Sequence, residues 1–324
     1  MVDRQPSRQG VEAASQRIRG EITRTPLLPV EIRGVISWVK AECLQQGGSF
    51  KLRGATNRLM LMSAEERRRG VVAFSSGNHA QGVAIAAKKM GIAATIVMPA
   101  DAPAVKREAT LAAGAEIVDY DRRTESREEI AAHLAAERGA TLVPSFADID
   151  IIEGQGSTGV EIREQLGGAP DKVLVCCGGG GLSAGIALAL PEAEIVTVEP
   201  FGWDDMARSL EAGKIIPVAE NAPPTRCDAL QTKLVSPLTF GPLSERNARG
   251  VAVTEDETAA AMAFAARALR LIAEPGGAVA LAAALAGKAG ALTPRSVIVV
   301  SGGNVDPLIY AEILENQAMR ARYS

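Results

Sequence analysis

The chain of 324 residues is too long for one minimal core and has room for a single large α/β unit or two lobes with a site between them. Hydrophobic residues at 47% and charged residues at 23% are ordinary for a folded globular protein, so disorder is not indicated. A formal net charge of −3 and only 3% aromatics offer neither a basic field for a phosphate backbone nor stacking platforms for bases, which argues against a nucleic-acid partner.

Arg4, Arg8, Glu12, Arg17 and Arg19 open the chain with no apolar central region, unlike a secretory signal. Farther on, "VVAF" precedes a helical pattern from about Asn78, "ATIVMP" one from Ala102, and "AEIVDY" one from Thr124. A second series, "KVLVCC", "AEIVTVEP" and "RSVIVVSGGN", repeats the alternation, as βα units on a parallel sheet do. Two sheets, or one split sheet, account for both series. Ser63 with Glu66 and Thr254 with Glu257 have the spacing of a capping box. Pro99, Pro144, Pro170 and Pro200 stand at or just past strand-like runs, where the chain turns. From Ile215 to Asn247 no period survives, and five prolines predict a long loop with short elements inside it. The small-apolar stretch Ala278 to Ala286 is closed by Gly287 and Lys288 short of membrane-spanning length, so no membrane association and a cytoplasmic location are expected. Cys43, Cys176, Cys177 and Cys227 lack metal-ligand spacing, and adjacent Cys176 and Cys177 on a strand point to opposite faces. Buried thiols are expected.

Four polar segments carry the chemistry. In "GGSFKLRGA" Lys51 sits at a helix start behind a glycine turn; the usual fate of such a lysine is a solvated surface position, but a desolvated amine is a Schiff-base nucleophile. In "SSGNH", Ser75, Ser76, Gly77, Asn78 and His79 join a strand end to a helix start, where free amides and short polar side chains make a carboxylate cradle. Gly178, Gly179, Gly180 and Gly181 stand between an apolar strand and a helix opening at Leu182; amides free of β-carbons there favour an anion. Gly179, Gly181 and Ala184 also fit the G-x-G-x-x-A form of a dinucleotide site, with Glu199 at the distance of a ribose-binding carboxylate, so an NAD-dependent oxidoreductase stays open. "SGGN" ends another strand with Ser301, Gly302, Gly303 and Asn304. Two histidines and no serine elbow give little support to a Ser-His-Asp hydrolase.

Together "SFKLRGA", "SSGNHAQG", "GGGGLSAG" and "SGGN" resemble the fold type II pyridoxal-phosphate enzymes, in particular the threonine/serine dehydratase and serine racemase family, in that family's order from about Thr25 to Asp306. The resemblance implies an α/β fold, tryptophan synthase β-like, with two open, mostly parallel twisted sheets flanked by helices. It implies a large cofactor-binding domain of residues 1–65 and 147–324 and a small domain of residues 66–146 closing over the substrate. Lys51 would be the Schiff-base lysine, Phe50 its neighbour beside the cofactor, and Asn78 the partner of the cofactor's phenolic oxygen. Gly178, Gly179, Gly180 and Gly181 would bind the phosphate and Ser301 would face the pyridine nitrogen. Ser75, Ser76, Asn78 and His79 would surround the substrate carboxylate, with Arg127 reaching toward the substrate. Ser76, opposite Lys51, would serve as a second catalytic residue able to reprotonate the α-carbon. "VEPFGWDDM" resembles the family's divalent-cation site, with Glu199, Asp205 and the Trp203 carbonyl as ligands for magnesium or calcium; the same acids also read as a helix N-terminus capped near Asp204. The implied activity is dehydration of a small β-hydroxy amino acid such as L-threonine or L-serine to a 2-oxo acid and ammonia, by a homodimer. Serine racemase and threo-3-hydroxyaspartate dehydratase are the alternatives. A C-terminal regulatory domain, and with it control by isoleucine, is not expected.

Overall fold

The computed structural model describes residues 4–75, 77–102 and 104–323. Ser76, the expected second catalytic residue, therefore lies outside the described residues. In chain order the elements are α1 (Arg8–Arg17), β1 (Leu27–Ile32), β2 (Val35–Ala41), α2 (Lys51–Met60), α3 (Ala64–Arg69), β3 (Val71–Phe74), α4 (Asn78–Met90), β4 (Ala94–Pro99), α5 (Ala104–Ala112), β5 (Glu116–Tyr120), α6 (Arg127–Arg138) and β6 (Thr141–Leu142). There follow α7 (Ile149–Leu166), β7 (Lys172–Cys176), α8 (Gly181–Ala189), β8 (Glu194–Pro200), α9 (Asp205–Ala212), α10 (Pro237–Glu245), β9 (Arg249–Val253), α11 (Glu255–Phe264), α12 (Pro275–Leu285), β10 (Ser296–Val300) and α13 (Pro307–Tyr323).

The strands form two sheets, resolving the choice left open by the sequence. One has six strands in the order β1-β2-β10-β7-β8-β9, the other four in the order β5-β4-β3-β6. All pairings are parallel except the β1–β2 hairpin. The central strands β7 and β10 are buried along their whole length, as a parallel sheet covered on both faces requires. The wholly apolar α12 packs against β7, β8 and β10 and is buried over Pro275–Ala284.

The helix α2 lies between the sheets: Leu52, Ala55 and Leu59 join the apolar cluster of the four-stranded sheet, while its other side meets α7. The α2 and α7 backbones touch, since a β-carbon on Gly154 would fall 2.7 Å from Gly54 Cα. Only glycine permits that approach. The buried face of α7 carries Glu153, Gln155, Ser157, Thr158 and Glu161 among its glycines, with the buried isoleucines Ile151, Ile152 and Ile162 only near its ends, so it shows no continuous apolar stripe in sequence.

Both expected capping boxes form, at Ser63 with Glu66 and at Thr254 with Glu257. The helices expected from Ala102 and Thr124 begin at Ala104 and Arg127, the latter capped by Ser126. The proline-rich segment holds short elements as expected, among them the nine-residue helix α10, with Ser236 as cap and Pro237 in the first turn, where the missing N–H has no helical partner to lose. All four cysteines are free and buried. Among the described residues no helix is long and apolar enough to cross a membrane.

Candidate active site

The carboxyl ends of strands from both sheets lead into the polar turns singled out by sequence: β3 of the four-stranded sheet into Ser75, and the neighbours β7 and β10 of the six-stranded sheet into Gly178 and Ser301. Carboxyl ends of strands are where open α/β sheets place ligands. Lys51, Asn78, Cys176, Gly178, Gly179, Gly180, Gly181, Glu274 and Ser301 share one cavity. It continues into a cleft of about 620 Å³ that also reaches Ser75, His79, Arg127 and Phe146. Thus the expected cofactor and substrate residues that the structure describes converge, whereas Glu199, Trp203 and Asp205 line neither space.

Lys51 opens α2 directly behind Phe50, whose amide donates to Ser301 O at 3.1 Å and ties the turn to β10. The Lys51 Nζ donates to Ser145 O at 3.0 Å and stands 5.2 Å from the centre of the Phe50 ring. Some of its side chain faces the cleft, yet burial by the surrounding walls lowers its ammonium to about 8. No carboxylate lies within ion-pair distance of it among the described residues.

Two residues later, Arg53 is fully buried and anchors this lysine's helix. Its guanidinium pairs with Glu42 at 2.7 Å and with Glu161 at 2.7 Å, and Lys40 pairs with Glu161 at 2.6 Å. Two cations and two anions thus join β2, the turn after it, α2 and α7.

The tetraglycine turn leads into the N-terminus of α8. Gly180 has φ 88°, a left-handed conformation suited to glycine, and among the described residues the amides of Gly178, Gly179, Gly180 and Gly181 find no acceptor. The Phe146 ring faces this turn, 2.2 Å from where a β-carbon on Gly179 would stand.

Asn78 begins α4 and is held by two partners: its Nδ2 donates to Glu274 Oε1 at 2.5 Å, and its Oδ1 accepts from Asn304 Nδ2 at 2.8 Å. Glu274, a buried acid that sequence reading passed over, has its carboxyl pushed up to about 7 by burial and then by the charge of Asp228. The signal available was its place before Pro275 at a helix start, indistinguishable from an ordinary turn acid. His79 is neutral: burial, then the nearby Lys51, lower its pKa to about 3, and its Nε2 donates to Val143 O at 2.9 Å. Among the described residues the Nδ1 has no partner, and with the one proton of the neutral ring on Nε2 it has no N–H to offer a carboxylate. Ser75 Oγ accepts from the Gly77 amide at 3.2 Å. Arg127 sits at the rim, 5.6 Å over the Phe74 ring and beside Glu128.

Glu199, the penultimate residue of β8, is fully buried, and its two oxygens accept from the amides of Met206 and Ala207 at 3.0 and 2.8 Å. That removes it from the ribose-binding role of the dinucleotide alternative. Asp205 lies beside it and accepts from Val235 N at 2.9 Å. Both acids are pushed up, Glu199 by burial and the charge of Asp205, Asp205 by burial to about 7.

A family model described as "Pyridoxal-phosphate dependent enzyme" matches residues 18–302. The chain is 39% identical over 312 residues to an L-threo-3-hydroxyaspartate ammonia-lyase of Saccharomyces cerevisiae, covering 94% of this chain and 95% of that one. It is 39% identical over 306 residues to an L-threonine ammonia-lyase of Thermotoga maritima, covering 91% and 75% respectively. The solved structure of maize serine racemase superposes with a TM-score of 0.90 at 34% identity, covering 98% of this chain and all of that one.

Proposed function

The chain belongs to the pyridoxal-phosphate dependent enzymes of fold type II, within their ammonia-lyase and racemase group, and on that premise we propose that it dehydrates a small β-hydroxy α-amino acid such as L-threonine or L-serine, releasing a 2-oxo acid and ammonia. The observation that carries this reading is the desolvated Lys51, with no acidic partner, in one cavity with an anion-ready glycine turn.

The residues fit the cofactor. The acceptor-free amides of Gly178 to Gly181 match a phosphate, and Lys51, lowered toward neutrality, matches an aldehyde. Asn78 would meet the phenolic oxygen, Ser301 the ring nitrogen, and Phe50 would pack beside Lys51. When bound, the cofactor accepts the negative charge left on the substrate's α-carbon. The protein supplies the rest. Amides at the start of α4 and Ser75 receive the substrate carboxylate; Arg127 faces it from the rim. Ser145 O orients Lys51 Nζ, whose neutral amine takes the α-proton. Loss of the β-hydroxyl and hydrolysis of the resulting enamine then give the oxo acid and ammonia.

In this reading residues 66–146, built on the four-stranded sheet, close over the cleft onto the rest of the chain. The contact of Lys106 Nζ with Asp228, from opposite walls, supports that closure. A dicarboxylic substrate, threo-3-hydroxyaspartate, is the second reading, favoured by Lys233, a cation on the cleft that pairs with no carboxylate among the described residues; Lys106, Arg122 and Arg127 on the same cleft are paired with Asp228, Asp101 and Glu128. A serine racemase would need Ser76 as acid on the other face.

Glu199 and Asp205, with the Trp203 carbonyl, would hold a magnesium or calcium ion. Two buried acids whose hydrogen-bond donors among the described residues are all backbone amides suit a hard cation. Among the described residues no three acidic, histidine or cysteine side chains gather, so carbonyl and water oxygens must complete the shell.

The test is the visible spectrum of the purified holoenzyme and of Lys51→Ala, followed by L-threonine, L-serine, D-serine and L-threo-3-hydroxyaspartate. A cofactor absorption bleached by borohydride in the wild type and lost in Lys51→Ala is expected; its absence from the wild type overturns the reading. Oxo-acid release ranks the substrates, and chiral analysis of recovered serine separates lyase from racemase.

A further inference from the structure

Cys176 is the last residue of β7 and Ser301 the first after its neighbour β10, and both are buried on the wall of the cofactor cavity. Their side chains meet: the Cys176 thiol donates to Ser301 Oγ at 3.1 Å. Cys177 points the other way, accepting from Ser183 Oγ at 3.6 Å. The two adjacent thiols therefore occupy different environments, and only Cys176 touches the serine that the proposed function sets against the ring nitrogen.

We propose that Cys176 is a positioning residue for Ser301: by donating to Oγ, its thiol leaves the Ser301 O–H as a donor aimed at an unprotonated ring nitrogen. This inference rests on the proposed cofactor site. A hydroxyl has one proton and two lone pairs. Here one lone pair is taken by the thiol, and among the described residues no protein group accepts the Ser301 proton. That proton is free to serve a lone pair in the cavity. A ring nitrogen bearing its own proton would instead need Ser301 as acceptor and would turn the Ser301 O–H back onto sulfur, a weak acceptor. The thiol thus sets the direction of the hydrogen bond at the ring and, through it, how strongly the ring withdraws electrons. An oxygen in place of the sulfur would relax this choice, because a second hydroxyl accepts the Ser301 proton well.

Two measurements test the inference on the holoenzyme. With cofactor labelled with nitrogen-15 in the ring, the wild-type resonance is expected at the position of an unprotonated, hydrogen-bonded pyridine, and Cys176→Ser is expected to move it toward the protonated position. A protonated wild-type nitrogen, or a resonance unmoved in Cys176→Ser, overturns the proposal. Infrared spectra read the thiol directly: the S–H stretch absent from Cys176→Ala is expected at lowered frequency in the wild type and to rise in Ser301→Ala. A band at the free-thiol frequency in the wild type overturns the proposal even where Cys176→Ser does not fold. Failure of the underlying cofactor reading is distinguishable, since the wild type would then lack the borohydride-sensitive absorption.

Discussion

Burial that lowers Lys51 to about 8 from the ordinary 10.5 makes the folded apoprotein release a proton that the unfolded chain keeps. Between those values the unfolded state binds more protons, so stability rises with pH, and below about 8 the charged lysine is a cost. Lys51→Met is therefore expected to be more stable than the wild type as apoprotein at pH 7, with the advantage shrinking toward pH 10 in urea melts. Glu274 has the opposite dependence. Its carboxyl stays protonated to about 7 in the fold against 4.5 in the unfolded chain, so its contribution is present below 4.5 and lost as pH rises through 7. Glu274→Gln keeps an oxygen for Asn78 and is expected to flatten the fall in stability between pH 5 and 8. Equal slopes for the variant and the wild type would contradict the assignment.

The Arg53 cluster ties α2 to the turn after β2 and to α7. Removing one member leaves the other charges buried and uncompensated, which costs about 3–5 kcal/mol. Arg53→Met is expected to lose stability of that order in denaturant melts and to weaken cofactor retention, because α2 carries Lys51 two residues away. Arg53→Lys is expected to restore only part, since one ammonium cannot replace a guanidinium shared between Glu42 and Glu161. At α10, loss of the Ser236 cap by substitution with Ala is expected to cost about 1 kcal/mol.

Across the whole molecule, Glu199 and Asp205 connect β8 and α9 to the segment that returns along the cleft, through the Val235 amide. That segment contributes Asp228, Ala229 and Thr232 to the cleft wall. A divalent cation binding the two ionised acids would brace the wall from behind. Magnesium or calcium is expected to raise the melting temperature at pH 8 and to do less at pH 5, where both acids hold their protons. The double variant Glu199→Gln, Asp205→Asn is expected to abolish the response; a response unchanged in it would remove the site.

The local features of this protein were determined by its sequence: parallel strands as apolar runs, glycine turns at their carboxyl ends, the Ser63 and Thr254 caps, and the four polar segments from Lys51 to Asn304. Each is a property of a few neighbouring residues, where backbone sterics and hydrogen-bond geometry act directly. The tertiary structure alone decided that Glu274 holds Asn78 across 196 positions, that Arg53 binds Glu42 and Glu161, and that Cys176 meets Ser301. It also decided that Glu199 turns inward onto the α9 amides instead of toward a ribose. Such pairs leave no period in the chain, because a buried polar side chain takes its partner from whatever element packs against it. In α7 the same effect hides a helix, whose buried face between Ile152 and Ile162 is glycine and hydrogen-bonding side chains where an apolar stripe would have announced it.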